Sequence, residues 1–282
     1  MKIKNNPFVR KGLSKVRSVK RFAVRMMSKP KDYEQNPPVI CDSFPKSGTH
    51  LLLQVLQALP DKTHYGSFVA TTPSIVFKRG SDASIIRKIR ALAPGELLPA
   101  HMYYSEPVAK ALNELHCVHY FIYRDLRDVL LSEINYLTSS AWWHALHRPF
   151  KKAGNDLERW KLSLRGMVDR FSEYPNIAKR FGFYEGWIGR EDTLPVRFED
   201  LTSDQRDSTL EKIAQFYNQR TGRTLDVAGF VKDAIHEIQP GASHTFHKGE
   251  SGRGRKNMPE ELRQEFNELA GDLMKKLGYQ IG

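Results

Sequence analysis

The chain has 282 residues, of which 40% are hydrophobic and 27% charged, and carries a net charge of +12. That balance excludes a disordered chain, and no apolar run approaches the roughly 20 residues that a bilayer-spanning helix needs. The two cysteines, Cys41 and Cys117, each lie in an apolar segment that reads as a buried strand, so they read as core thiols in a reducing compartment, expected to be the cytoplasm.

The charge is concentrated at the start. Residues 1–36 hold eleven Lys or Arg against Asp32 and Glu34, a surplus of +9, while the other 246 residues have 33 basic and 30 acidic groups. Within this leader Val9, Leu13, Val16, Val19, Phe22, Ala23, Met26 and Met27 recur at helical spacing with Lys11, Lys15, Arg17, Lys20, Arg21 and Arg25 between them. The pattern is a basic amphipathic helix. Three roles stay open for it: lying on an anionic membrane surface, acting as a transit peptide, or packing its apolar stripe on the body.

Two prolines in "NPPV" end the leader, and a single domain is expected over residues 37–282. Its first strand, Val39 to Ser43, runs through "FPKSGTH" into a helix bearing Leu51, Leu52, Leu53, Val55, Leu56 and Leu59. The segments "ELLPAHM", "CVHYFIY" and "TLPVRF" read as further strands, with helices in "SEPVAKALNEL" and "LRDVLLSEINYL". Strands alternating with helices predict an α/β fold, a central parallel sheet flanked by helices, with ligands at the carboxyl ends of the strands. A closing helix is expected from near Pro259, with Leu262, Phe266, Leu269, Leu273 and Leu277 on one stripe. The basic stretch before it, "PGASHTFHKGESGRGRKNMP", is too glycine-rich for a regular element.

The turn between the first strand and helix aims backbone N–H groups and a helix N-terminus at one point, with Lys46 adding a positive charge, so it suits an anion. It is not a Walker A loop, because Lys46 precedes Ser47 and Gly48. The order Pro45-Lys46-Ser47-Gly48-Thr49 resembles the 5′-phosphosulfate loop of the sulfotransferases that use 3′-phosphoadenosine 5′-phosphosulfate (PAPS). In "YFIYRDLRDVLLSE", Arg124 at a strand end and Ser132 in the next helix resemble the same family's 3′-phosphate motif, although an Arg-Asp salt-bridge cluster capping the helix also explains the segment. "LPVRFEDLT" and "FHKGESG" resemble two further family segments, in the family's order.

The resemblance implies a P-loop-like three-layer fold from about residue 38 onward and PAPS as co-substrate without a metal. Lys46 and the N–H groups of Ser47, Gly48, Thr49 and His50 would then hold the 5′-phosphate; Arg124, Ser132, His247, Lys248 and Gly249 would hold the 3′-phosphate. It also implies His101, at the end of the second strand candidate, as the base for the acceptor hydroxyl. The chain departs from the family with Leu51 for Trp, Phe198 for Tyr and His247 for Arg; Arg253, Arg255 or Lys256 could replace the lost arginine.

The expected reaction is sulfuryl transfer to a hydroxyl of a carbohydrate, glycolipid or small molecule. Trp142 and Trp143 read equally well as a stacking surface for that acceptor or as a core patch. The pairs His116/His119, His144/His147 and His244/His247 have no cysteine at ligand spacing, so no metal site is expected. Competing readings are a nucleotide kinase, which lacks its Walker lysine here, and a nonenzymatic nucleotide- or polyanion-binding protein on the same fold. Specific nucleic-acid binding is not expected of the near-neutral body.

Overall fold

Alternate residues of the central strands feed two separate cores, as expected for a sheet covered on both faces. Ile40, Leu98 and Phe121 pack with one set of helices, and Val39, Cys41, Leu97, Tyr120 and Ile122 with the other. The structure, a computed structural model, describes residues 7–167, 174–238 and 251–281, with side chains from Val16 onward. Its elements begin with α1 (Pro7–Met27), α2 (Pro30–Gln35), β1 (Val39–Ser43), α3 (Thr49–Gln57), β2 (Val69–Ala70), α4 (Asp82–Ile89), β3 (Leu97–His101) and α5 (Glu106–Glu114). They continue with β4 (Val118–Tyr123), α6 (Leu126–Asn135), a short π-helix (Tyr136–Ser140), α7 (His147–Lys152), α8 (Asp156–Arg165), α9 (Ile177–Glu185) and β5 (Thr193–Arg197). The chain closes through α10 (Phe198–Leu201), α11 (Arg206–Thr221), α12 (Val227–Glu237), α13 (Arg253–Asn257) and α14 (Glu260–Lys276).

All pairings are parallel and the order is β2-β3-β1-β4-β5. The chain leaves β1 toward β2 and leaves β4 toward β5, so the two connections diverge and open a crevice at the carboxyl ends of β1 and β4. The α3 face is covered by Leu51, Leu52, Val55 and Leu56 of α3, which packs against α12 with its buried Phe230 and Ala234, and by Ile213, Ala214 and Tyr217 of α11. The opposite face is covered by Val108, Ala111 and Leu112 of α5, Phe181 and Tyr184 of α9, and Phe266 of α14. Both cysteines are buried and free.

One expectation is corrected and one of the three roles left open for the leader is set aside. The stretch read as too glycine-rich for a regular element contains the short helix α13, because its glycine N–H groups find an acceptor on α6, described below. Packing of the leader's apolar stripe on the body is not what residues 16–27 do: Val16, Val19, Phe22, Met26 and Met27 are exposed. The opposite side of α1 meets the body, where Arg21 Nε donates at 2.7 Å to the fully buried Glu96 carboxylate.

Candidate active site

The turn after β1 is shaped by two residues in left-handed conformation, Lys46 (φ 70°) and Gly48 (φ 103°). A side chain at Gly48 is excluded twice, since a Cβ there would stand 2.5 Å from Cδ2 of Phe198. Gly48 is also the N-cap of α3, and no side chain caps that helix, so the positive end of α3 opens onto the crevice. The Ser47 N–H, expected to face the phosphate, instead donates to the Phe44 carbonyl at 3.1 Å and closes the turn, while the Ser47 hydroxyl is buried without a partner among the described residues. An orphaned donor, an uncapped helix and a lysine around one turn fit an oxyanion such as the 5′-phosphate of PAPS.

Lys46 lies in the same crevice, its Nζ 3.7 Å from the centroid of the Tyr136 ring. Burial lowers its ammonium to about 8; the Glu133 carboxylate opposes the shift and Arg124 adds to it. A desolvated ammonium on an aromatic face lacks the full charge compensation that an anion would supply.

His101 ends β3 beside β1. Its Nδ1 is 3.0 Å from the carbonyl oxygen of Ser43 and 3.0 Å from the Ser43 hydroxyl, which meets Thr49 Oγ1 at 2.6 Å. A carbonyl can only accept, so Nδ1 carries the proton and Nε2 keeps its lone pair. Burial lowers the imidazole to about 4, Ser43 and Asp42 opposing the shift, so the ring is neutral at physiological pH. The Phe68 ring stands edge-on to it, with centroids 4.9 Å apart.

Arg124 follows β4, and its guanidinium lies 4.1 Å above the Phe198 ring while Nη2 donates to Asp128 at 3.0 Å. Asp128 also accepts from the N–H groups of Gly252, at 2.9 Å, and Gly254, which pins α13 onto α6. The contact is close: a Cβ on Gly254 would stand 2.1 Å from the Arg127 carbonyl. The salt-bridge cluster read in the sequence is therefore present, as Arg124–Asp128 and Arg127–Asp125, and Arg124 lines the crevice all the same. Ser132 lines it too, and so does Arg253, whereas Arg255 and Lys256 are exposed. His247, Lys248 and Gly249 lie outside the described residues.

These groups line one cavity of about 820 Å³ that extends past His101 into an aromatic region formed by Phe68, Phe77, Tyr103, Tyr136, Trp143 and Tyr174. Sequence reasoning missed the polar floor of this region. There Glu133 accepts from Ser163 Oγ at 2.6 Å, Tyr174 OH at 2.7 Å and Arg180 Nη1 at 2.8 Å. These partners are 30 to 47 residues away from Glu133 in the chain, and only "SEIN" in an apolar helix hinted that a carboxylate faces inward. The core-patch reading of Trp142 and Trp143 is corrected, since both are exposed and Trp143 lines the cavity. His144 also lines it, but its Nδ1 accepts from the N–H of Leu146 at 3.0 Å, so its proton is on Nε2, the tautomer opposite to His101. Among the described residues no group of three or more His, Cys, Asp or Glu could hold a metal ion.

A five-stranded parallel sheet with an uncapped helix, a half-buried lysine and a strand-end arginine at one carboxyl edge defines an α/β protein whose switch point is built to suit an oxyanion. A family model described as the sulfotransferase domain matches residues 36–278, and the chain belongs to that family. Its fold is similar to that of mouse sulfotransferase SULT7A1 complexed with PAP, at 19% identity and TM-score 0.57 over 84% of each chain. It is also similar to retinol dehydratase, solved with retinol and PAP (15% identity, TM-score 0.55, 84% of this chain and 81% of that one) and with androsterone and the inactive cofactor PAP (14%, 0.54, 89% and 82%). No curated protein matches the sequence.

Proposed function

We propose that the chain transfers the sulfuryl group of PAPS to a hydroxyl of an acceptor seated in the aromatic half of the cavity. One observation carries this reading: Lys46 of the phosphate-type turn and His101, neutral with a lone pair on Nε2, line the same cavity. PAPS supplies the activated sulfuryl group. Lys46, the Ser47 hydroxyl and the N–H groups at the start of α3, those of Gly48, Thr49 and His50, hold the 5′-phosphate, and Arg124 with Ser132 and Arg253 holds the 3′-phosphate. His101 takes the hydroxyl proton at Nε2 as the new oxygen–sulfur bond forms, and its Nδ1–H stays on the Ser43 carbonyl, which orients the ring. Lys46 meets the charge that collects on the departing phosphate oxygen as the old oxygen–sulfur bond breaks.

Retinol dehydratase was solved with retinol and with androsterone, both apolar small molecules, and an apolar acceptor is in keeping with the aromatic lining here. The reading is tested by following labelled sulfate from PAPS onto a panel of hydroxyl acceptors, with Lys46→Ala as control. Transfer by the native chain and its loss in the variant are expected; equal rates in both would refute the mechanism.

A further inference from the structure

The ten large apolar side chains that stand exposed among the described residues are not scattered. Five are on α1 (Val16, Val19, Phe22, Met26 and Met27), and five are on segments that line the cavity: Phe68 and Trp143 line it themselves, Ile75 and Val76 stand between the lining residues Ser74 and Phe77, and Trp142 precedes Trp143. Met27 is 83% and Trp142 80% exposed, far from the burial that side chains of this size and polarity usually reach.

The two groups adjoin. The Arg17 side chain lies against Gly66, 3.7 Å from where a Cβ would stand, so α1 runs beside the segment that carries Phe68. The N–H of Ala145 donates to the Ser74 carbonyl at 3.0 Å and the Phe77 and His144 rings are 5.7 Å apart, which joins the Ile75–Val76 segment to the tryptophan pair. α1 is also held with its apolar stripe outward, because Arg21 on the other side is clamped to the buried Glu96.

Charge selects the partner. Residues 16–31, 62–80 and 134–155, which carry all ten side chains, contain six, three and three Lys or Arg and no Asp or Glu; all 32 acidic residues lie elsewhere. Arg21 is taken up by Glu96, but the other cations on these segments have no acidic residue within the same stretch of chain, and apolar side chains on acid-free basic segments match the acyl boundary and headgroups of an anionic bilayer. We propose that α1 and the cavity collar form one docking face for an anionic lipid bilayer, which presents a hydroxyl-bearing amphiphile at the cavity mouth. The second half of this proposal rests on the sulfotransferase reading, whereas the docking does not.

The test uses the full chain and sucrose-loaded vesicles of phosphatidylcholine, alone or with about 30% phosphatidylserine, at about 50 and about 500 mM salt. Co-sedimentation with the anionic vesicles alone, weakened by salt, is expected, together with quenching of tryptophan emission by brominated acyl chains that falls in Trp142→Phe. The pairs Phe22→Glu/Met26→Glu and Ile75→Glu/Val76→Glu touch no group assigned to the reaction, and each is expected to lower vesicle partition roughly tenfold or more. Calorimetric binding of 3′-phosphoadenosine 5′-phosphate to the same proteins keeps the two readings apart, since it is expected to be unchanged in both pairs. Intact nucleotide binding without vesicle binding overturns the docking face and leaves the sulfotransferase reading standing; vesicle binding without nucleotide binding does the reverse. Self-association in sedimentation velocity that both pairs abolish, with no vesicle binding, overturns the proposal and assigns the face to a second copy of the chain.

Discussion

The Phe198 ring lies with its face beneath the Arg124 guanidinium, at 4.1 Å, and turns its Cδ2–Cε2 edge toward Gly48 of the β1 turn. A single side chain thus sets the spacing between the two groups that resemble 5′- and 3′-phosphate contacts. The phenol oxygen the family often has here is absent, but the stacking surface it would carry is kept. Phe198→Leu should weaken binding of 3′-phosphoadenosine 5′-phosphate about tenfold or more by freeing both partners, while Phe198→Tyr should stay near native. Isothermal calorimetry distinguishes these outcomes, and a native-like Leu variant would show that the ring does not couple the two halves.

Lys46 should have opposite effects on stability and on the proposed transfer. Its folded value of about 8 lies below the ordinary 10.5, so the charged form is disfavoured by folding. The resulting cost is complete below pH 8 and fades as pH rises from 8 to 10.5, where the unfolded chain alone still holds the proton. Lys46→Met should therefore raise the thermal midpoint by a few degrees at pH 7 and by less at pH 10, while abolishing transfer. An anion beside Nζ restores the proton, so nucleotide binding between pH 8 and 10 should take up protons in the native chain and not in Lys46→Met. Titration calorimetry in buffers of different ionisation enthalpy measures that uptake directly.

Gly254 is where α13 meets α6, and its N–H is held by the same carboxylate that pairs with Arg124. Gly254→Ala places a methyl group into the Arg127 carbonyl, and Asp128→Asn removes the charge that gathers Arg124, Gly252 and Gly254 together. Both should loosen the arm that brings Arg253 to the cavity and erode the preference for 3′-phosphoadenosine 5′-phosphate over AMP. Competition binding of the two nucleotides reads this directly, and an unchanged ratio in both variants would show that α13 plays no part in the choice.

What the sequence disclosed follows from the range of the interactions. The β1–α3 unit was legible because period-two and period-3.6 apolar patterns flank a turn whose composition is itself chemical. Asp42 and Ser43 were hidden inside an apolar-looking strand: Asp42 accepts from Met102 N–H and meets His119, 60 and 77 residues away, and Ser43 holds His101 from 58 away. Such contacts exist only after β3 and β4 have flanked β1. The direction of the α1 stripe stayed open for a related reason, since the spacing shows that a helix is two-faced but not which face a distant buried Glu96 will claim.

Three histidines line the cavity, His50, His101 and His144; burial keeps the last two neutral at physiological pH, and their tautomers decide between those two. His101 donates through Nδ1 to the Ser43 carbonyl and keeps a basic Nε2, whereas His144 accepts the Leu146 N–H at Nδ1 and holds its proton on Nε2. Burial lowers both rings to about 4, so each is already deprotonated at pH 5. If His101 is the base, the rate should be flat from about pH 5 to 7 and fall only as pH drops through about 4, well below the ordinary histidine range. His101→Asn keeps a donor for the Ser43 carbonyl but has no basic atom, so it should retain nucleotide binding and lose about 10²-fold or more of kcat, along with the acid limb. His144→Asn should keep that limb. A pH–rate profile of the three proteins on one acceptor separates the roles, and an acid limb that survives in His101→Asn but vanishes in His144→Asn would transfer the base to His144.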